Sequence, residues 1–204
     1  MNIESINNNL KDKSPEERIK WALSHAKRPI ITTNFRPYEA AIIHLVAGAR
    51  KEIPVIWCDS GYNTRETYLH ADELIERFNL NIDLFVPKQT TAYRDVYLGV
   101  PSVDDPKHEQ FTHEVKIEPF LRAFEKHQPD FWFTNLRKGQ TALRDGLGIV
   151  SEGKNGVIKF SPFYEYSDIE LDEYLQTHDL PNEFKYFDPT KVESNRECGL
   201  HKTL

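Results

Sequence analysis

The last ten residues read "NRECGLHKTL" and hold Cys198, one of only two cysteines in the 204-residue chain. Arg196, Glu197, His201 and Lys202 surround it, and Leu200 and Leu204 are the only apolar side chains close by. A cysteine kept for packing sits among apolar neighbours. A cysteine among cations is placed for chemistry, because the thiolate is the nucleophile and positive charge nearby lowers the thiol pKa. Glu197 acts in the opposite sense, so Arg196, His201 and Lys202 carry that reading.

Three further stretches bring polar residues to the ends of apolar runs. In "IITTNFRPYEAAIIHLV", Thr32, Thr33 and Asn34 close a strand before a helix, where N–H groups and hydroxyls either converge on an anion or cap the helix. In "VIWCDSGYNTRETYLHADELIERF", Asp59 and Ser60 follow a strand and Gly61 permits a tight turn. Tyr62 there is either a base-stacking ring or an exposed aromatic. In "FWFTNLRKGQTALRDGL", Arg137, Lys138 and Arg144 follow a strand end, either as forks for phosphate or sulfate or as a solvated charged loop. Cys58 reads as buried and inert, and His44, on a largely apolar helix face, as a packed core histidine.

The elements that must position these residues alternate. Short apolar runs at 29–34, 54–58, 82–86, 131–134 and 157–160 read as buried parallel strands. Helical patterns at about 15–26, 37–50, 64–79, 116–128 and 167–177 lie between and after them, the first opening on the capping box Ser14, Pro15, Glu17. The alternation predicts a doubly wound α/β fold with a mainly parallel sheet and helices on both faces, and its ligand site at the carboxyl ends of the strands. A disordered N-terminus over 1–13, an α/β domain over 14–190 and a tail carrying Cys198 over 191–204 are the expected parts.

Composition narrows the function classes. With 39% hydrophobic residues the chain can bury one full core. No run of about 18 apolar residues is present to cross a membrane, and "MNIESINNNLKDKS" is too polar for a signal peptide, so a cytoplasmic protein with reduced thiols and no membrane partner is expected. A formal net charge of −6 argues against general nucleic-acid binding. His44, His70, His113 and His201 show no ligand spacing, so no bound metal is expected.

Taken together, "DSGY" with "ETY", "NLRKGQTALR" and "ECGLH" resemble the signatures of the phosphoadenylyl-sulfate (PAPS) reductase family, in order and along nearly the whole chain. The resemblance implies the adenine nucleotide alpha hydrolase-like fold of that family and its cluster-free, thioredoxin-dependent chemistry. Cys198 would attack the sulfonyl sulfur of PAPS, releasing adenosine 3′,5′-bisphosphate and leaving an S-sulfocysteine. Thioredoxin or glutaredoxin would then release sulfite, in assimilatory sulfate reduction. A nucleophile that must reach a buried nucleotide and later meet another protein belongs on a mobile segment.

Matched residue by residue, the resemblance assigns Thr32, Thr33, Asn34 and Phe35 to a phosphate-contacting loop and Asp59, Gly61 and Tyr62 to the second turn. It matches Lys116 to a substrate lysine, and Arg137, Gln140 and Arg144 to the basic loop; Cys198, with His201 and Arg196, is the catalytic group. The family often dimerises. An iron–sulfur branch that reduces adenylyl sulfate (APS) needs a cysteine pair and a Cys-x-x-Cys, which two cysteines cannot supply.

The chain departs from the family in two places. Arg36 and Pro37 follow Phe35 where the family has glycine, and only "NEFKYFDPTKVESN" lies between Pro181 and Arg196. Pro37 in a first helical turn would hold Arg36 extended and aim it outward over the helix N-terminus, toward a phosphate or sulfate. The departures leave room for another nucleotide sulfate or for a non-catalytic nucleotide-binding module. An ATP pyrophosphatase or adenylyltransferase is the rival of the same fold; it needs a Ser-Gly-Gly-x-Asp-Ser loop that "TTNFRPYEA" lacks.

Overall fold

The computed structural model describes residues 2–191. Arg196, Cys198 and His201, and the expected tail beyond Lys191, lie outside the described residues.

Six strands form one sheet: β1 (Pro29–Thr33), β2 (Val55–Cys58), β3 (Ile82–Phe85), β4 (Phe131–Phe133), β5 (Val150–Glu152) and β6 (Ile158–Phe160). Their order is β3-β2-β1-β4-β6-β5, all pairs parallel except β5 with β6. The chain lays down β1, β2 and β3 toward one edge, then returns to place β4 on the other side of β1. That reversal is a topological switch point, and it opens a crevice between the carboxyl ends of β1 and β4.

The period-two alternation of strand side chains divides the core between the two faces. Ile31, Val55, Trp57, Phe131, Phe133 and Phe160 join the cluster that also holds residues of α2 (Pro15–His25), α3 (Glu39–Ala49), α4 (Arg65–Phe78) and α9 (Asp168–Thr177). Ile30, Ile56 and Trp132 pack on the other side with Phe120 and Ala123 of α7 (Glu118–His127). Burying side chains of this size contributes about 1.5–3 kcal/mol each.

The five expected strands and five expected helices are present, with capping boxes at Ser14 and Ser167. Four helices were not expected: α1 (Ile3–Leu10), α5 (Thr91–Tyr97), α6 (His108–Thr112) and the one-turn α8 (Ala142–Asp145). Helix α1 corrects the expectation of disorder over 1–13. Asn7 donates from Nδ2 to Val150 O at 2.8 Å and accepts Val150 N–H on Oδ1 at 2.9 Å, so its amide extends the edge strand β5 by one partner. Ile3 and Ile6 pack against the core on the same face as the buried Leu10.

Candidate active site

The crevice at the switch point is a cavity of about 400 Å³. Thr32, Thr33 and Asn34 enter it from β1, Thr134, Asn135 and Arg137 from the loop after β4, Cys58, Ser60 and Asn63 from the end of β2, and Lys116 from the side. Lys116 sits in a π-helical turn, His113–Ile117, which joins α6 to α7. Such wide turns occur where a side chain must be re-aimed.

The first loop is built around Glu39, the first residue of α3, which the sequence did not single out. Its carboxylate, in a side chain only 7% exposed, accepts Thr33 Oγ1 at 2.6 Å, Asn34 N at 2.9 Å and Arg36 Nε at 2.9 Å. Burial opposes the Arg36 charge, but Glu39 together with Tyr186 and Asp188 more than offsets it, so the guanidinium pKa lies above its ordinary value. Arg36 also donates from Nη2 to Asn135 O at 3.0 Å, which ties the loop after β1 to the loop after β4.

Arg36 is therefore turned in upon Glu39 rather than outward, although it still lines the cleft. The physical reason is that α3 begins at Glu39, two residues beyond Pro37, with Tyr38 as its N-cap in the left-handed region (φ 69°). Phe35 also has positive φ (54°) and is fully buried, edge-on to Trp57 with ring centroids 4.9 Å apart. It serves the core, not a ligand, and its N–H donates to Thr33 Oγ1 at 3.0 Å.

The second turn is likewise structural. Asp59 Oδ1 accepts Gly61 N and Asn63 Nδ2, both at 2.9 Å, and Tyr68 OH at 3.0 Å, while Gly61 takes φ 80°. Tyr62 packs against Phe111 and donates its hydroxyl to Asp95 at 2.8 Å. Asp59, Gly61 and Tyr62 do not line the cleft; their neighbours Ser60 and Asn63 do.

The basic loop does reach the cleft. Arg137 donates to Tyr166 O at 3.3 Å and pairs with Asp168 at 2.6 Å, and its buried Nε has no partner. Gln140 accepts Arg137 N–H at 3.2 Å and a hydrogen bond from Arg144 Nη1, so it braces both arginines. Lys116 pairs with Asp188 at 2.6 Å and reaches Thr190 Oγ1 at 3.3 Å.

Asp188 belongs to a segment that no motif or pattern in the sequence places here. Residues 182–191 run along the cleft, where Tyr38 N donates to Asn182 Oδ1 at 2.8 Å and Thr64 Oγ1 to Lys185 O at 2.7 Å. The Asn34 amide lies between Tyr186 and Glu39; with its oxygen toward the Tyr186 hydroxyl, its NH₂ meets Glu39 at 3.1 and 3.3 Å. Tyr186, Asp188, Pro189, Thr190 and Lys191 all line the cavity.

Arg36, Lys116 and Arg137, expected to meet substrate anions, thus each hold a protein carboxylate. These pairs differ in how readily they exchange. Asp168 is 64% exposed, and such a pair is worth about 0–1 kcal/mol, whereas in Arg36–Glu39 the carboxylate side chain is only 7% exposed, and removing the partner of a buried charge costs up to about 3–5 kcal/mol.

Cys58 is half-buried and lines the cavity, a correction to its reading as buried. It is chemically quiet all the same, since burial pushes its thiol pKa up to about 12. Among the described residues no group of three His, Cys, Asp or Glu side chains could hold a metal ion. No helix among them is long and apolar enough to cross a membrane.

Residues 28–187 match the family described as "Phosphoadenosine phosphosulfate reductase domain". The chain belongs to this family. Within the phosphoadenosine phosphosulfate reductase family, its relatives include a phosphoadenosine 5′-phosphosulfate reductase of Xylella fastidiosa (strain M12), 32% identical over 99% of this chain and 95% of the relative. Another, from Aliivibrio salmonicida, is 31% identical over 99% of this chain and 89% of its own length. Among solved structures, the phosphate complex of a PAPS reductase from Candida auris superposes with TM-score 0.77 at 21% identity, covering 88% of this chain and 87% of its own. An FMN adenylyltransferase from Candida glabrata shares the fold at TM-score 0.60 and 9% identity, covering 88% of this chain and 58% of its own.

Proposed function

We propose that the chain is a phosphoadenylyl-sulfate reductase, an oxidoreductase that converts PAPS to sulfite and adenosine 3′,5′-bisphosphate. The observation that carries this reading is the convergence of Lys116, from the π-helical turn before α7, with Arg137, Gln140 and Arg144, from the segment after β4, on one cleft at the β1–β4 switch point of a family member. Guanidinium and ammonium groups aimed into such a crevice hold a nucleotide's anionic groups and stabilise charge on the departing phosphate.

Cys198, by the resemblance of "ECGLH", supplies the nucleophile. Its thiolate forms a bond to the sulfonyl sulfur as the bond from that sulfur to the phosphate oxygen breaks, and both electrons of the broken bond leave with the bisphosphate. A dithiol protein, thioredoxin or glutaredoxin, then attacks Cys198 Sγ. Sulfite departs, and the second thiol of the partner closes a disulfide, so the two electrons of the reduction come from that protein. Arg196 and His201 favour the thiolate of Cys198.

Adenylyl transfer needs ATP phosphates in the first loop, where Glu39 already holds the donors. Sulfite release from PAPS or APS in the presence of reduced thioredoxin tests the reading. Release from PAPS supports it; release from neither nucleotide sinks it, and release from APS alone corrects the substrate.

A further inference from the structure

A strand–turn–helix junction ordinarily offers its N–H groups to a ligand anion. In the loop after β1 four of those groups are spent inside the protein. Asn34 N donates to Glu39 Oε2 and Phe35 N to Thr33 Oγ1. Tyr38 N donates to Asn182 Oδ1, Glu39 N to Arg36 O at 3.2 Å, and Pro37 has no N–H. Glu39 sits at the centre of this arrangement, with a backbone amide, a hydroxyl and a guanidinium on one buried carboxylate. That is the donor set a bound phosphate or sulfate would take.

We propose that Glu39 is a specificity-determining residue whose carboxylate fills the anion position of the β1–α3 junction. The cleft then takes an uncharged part of its ligand against this loop and the ligand's phosphate or sulfate at the Arg137 end. The inference rests on the reading of the cleft as the substrate site. Two differences between the ends support it. Glu39 is buried and held by three donors, so an incoming anion would meet a like charge in a low-dielectric place and gain no free donor from these groups. Arg137 holds an exposed carboxylate, Asp168, that water can replace, and keeps Nε unpartnered.

Inorganic sulfate is the probe, titrated into the full-length ¹⁵N-labelled protein while backbone amide shifts are followed. In the wild type, the amides of Leu136 and Arg137 move and those of Asn34 and Phe35 stay. In Glu39→Ala the Asn34 and Phe35 amides also move, at sulfate concentrations lower than any that shifts them in the wild type by on the order of ten-fold or more. Should that variant fail to fold, Glu39→Gln keeps the shape and removes the charge, and the same two amides become responsive. Movement of Asn34 and Phe35 in the wild type at the concentration that moves Arg137 overturns the proposal, as does silence of both amides in every folded variant. Failure of the reductase reading shows elsewhere, as absent sulfite release with the sulfate map intact.

Discussion

Lys116 and Asp188, 72 positions apart, meet at 2.6 Å inside the cleft, and both side chains are largely buried. Burial alone would raise the Asp188 pKa, but Lys116 and the hydrogen bonds from Thr190 outweigh it and bring it to about 2. An anion that reaches Lys116 must compete with this carboxylate.

The sign of the pH effect follows. A carboxylate depressed from about 3.9 in the unfolded chain to about 2 in the folded one stabilises the fold above pH 4, and that contribution disappears as pH falls toward 2. Asp188→Asn is expected to cost about 2–3 kcal/mol at pH 7. Urea unfolding of both proteins from pH 7 to pH 2 checks it: the gap between them should narrow below pH 4. A gap that stays constant to pH 2 places the effect elsewhere.

Arg137 and Arg36 are expected to separate by assay. Arg137→Ala should weaken calorimetric binding of adenosine 3′,5′-bisphosphate by about 1–3 kcal/mol, the range for a charge-assisted hydrogen bond. Arg36→Ala should change binding less and lower stability by about 3 kcal/mol or more, because it leaves the Glu39 carboxylate buried without its cation. The reverse ranking would return Arg36 to the ligand.

The two thiols should differ in reactivity. With its pKa pushed to about 12 by burial, Cys58 stays protonated at pH 8, and iodoacetamide should spare it while alkylating Cys198. Peptide mapping after brief labelling reads the result, and equal labelling of both cysteines would contradict it.

The sheet was legible because its strands are short apolar runs such as "VIWC" and "FWF", bounded by polar turns and separated by helical periods. The edge strand "VSE" carried no such signal, and Asn7, whose amide completes that edge, looks like any polar residue in an Asn-rich start. At the site, the basic loop showed its chemistry in its residue types. Glu39 and Asp188 did not, because an acid in a first helical turn or a polar loop is ordinarily solvated. Their meaning comes from what the fold places opposite them, Arg36 across a tight turn and Lys116 from far away in the chain. Phe35 was misplaced for a related reason, since an aromatic beside a binding loop can turn either way and here core packing took it, while Tyr62 stays half-buried against Phe111.

Mass spectrometry of the protein incubated with PAPS in the absence of any dithiol tests most directly whether Cys198 accepts the sulfonate. One added sulfonate is expected, located on the peptide that contains Cys198, removed by reduced thioredoxin with release of an equal amount of sulfite, and absent from Cys198→Ser. A sulfonate on Cys58, or sulfite production by the Cys198→Ser protein, would contradict it.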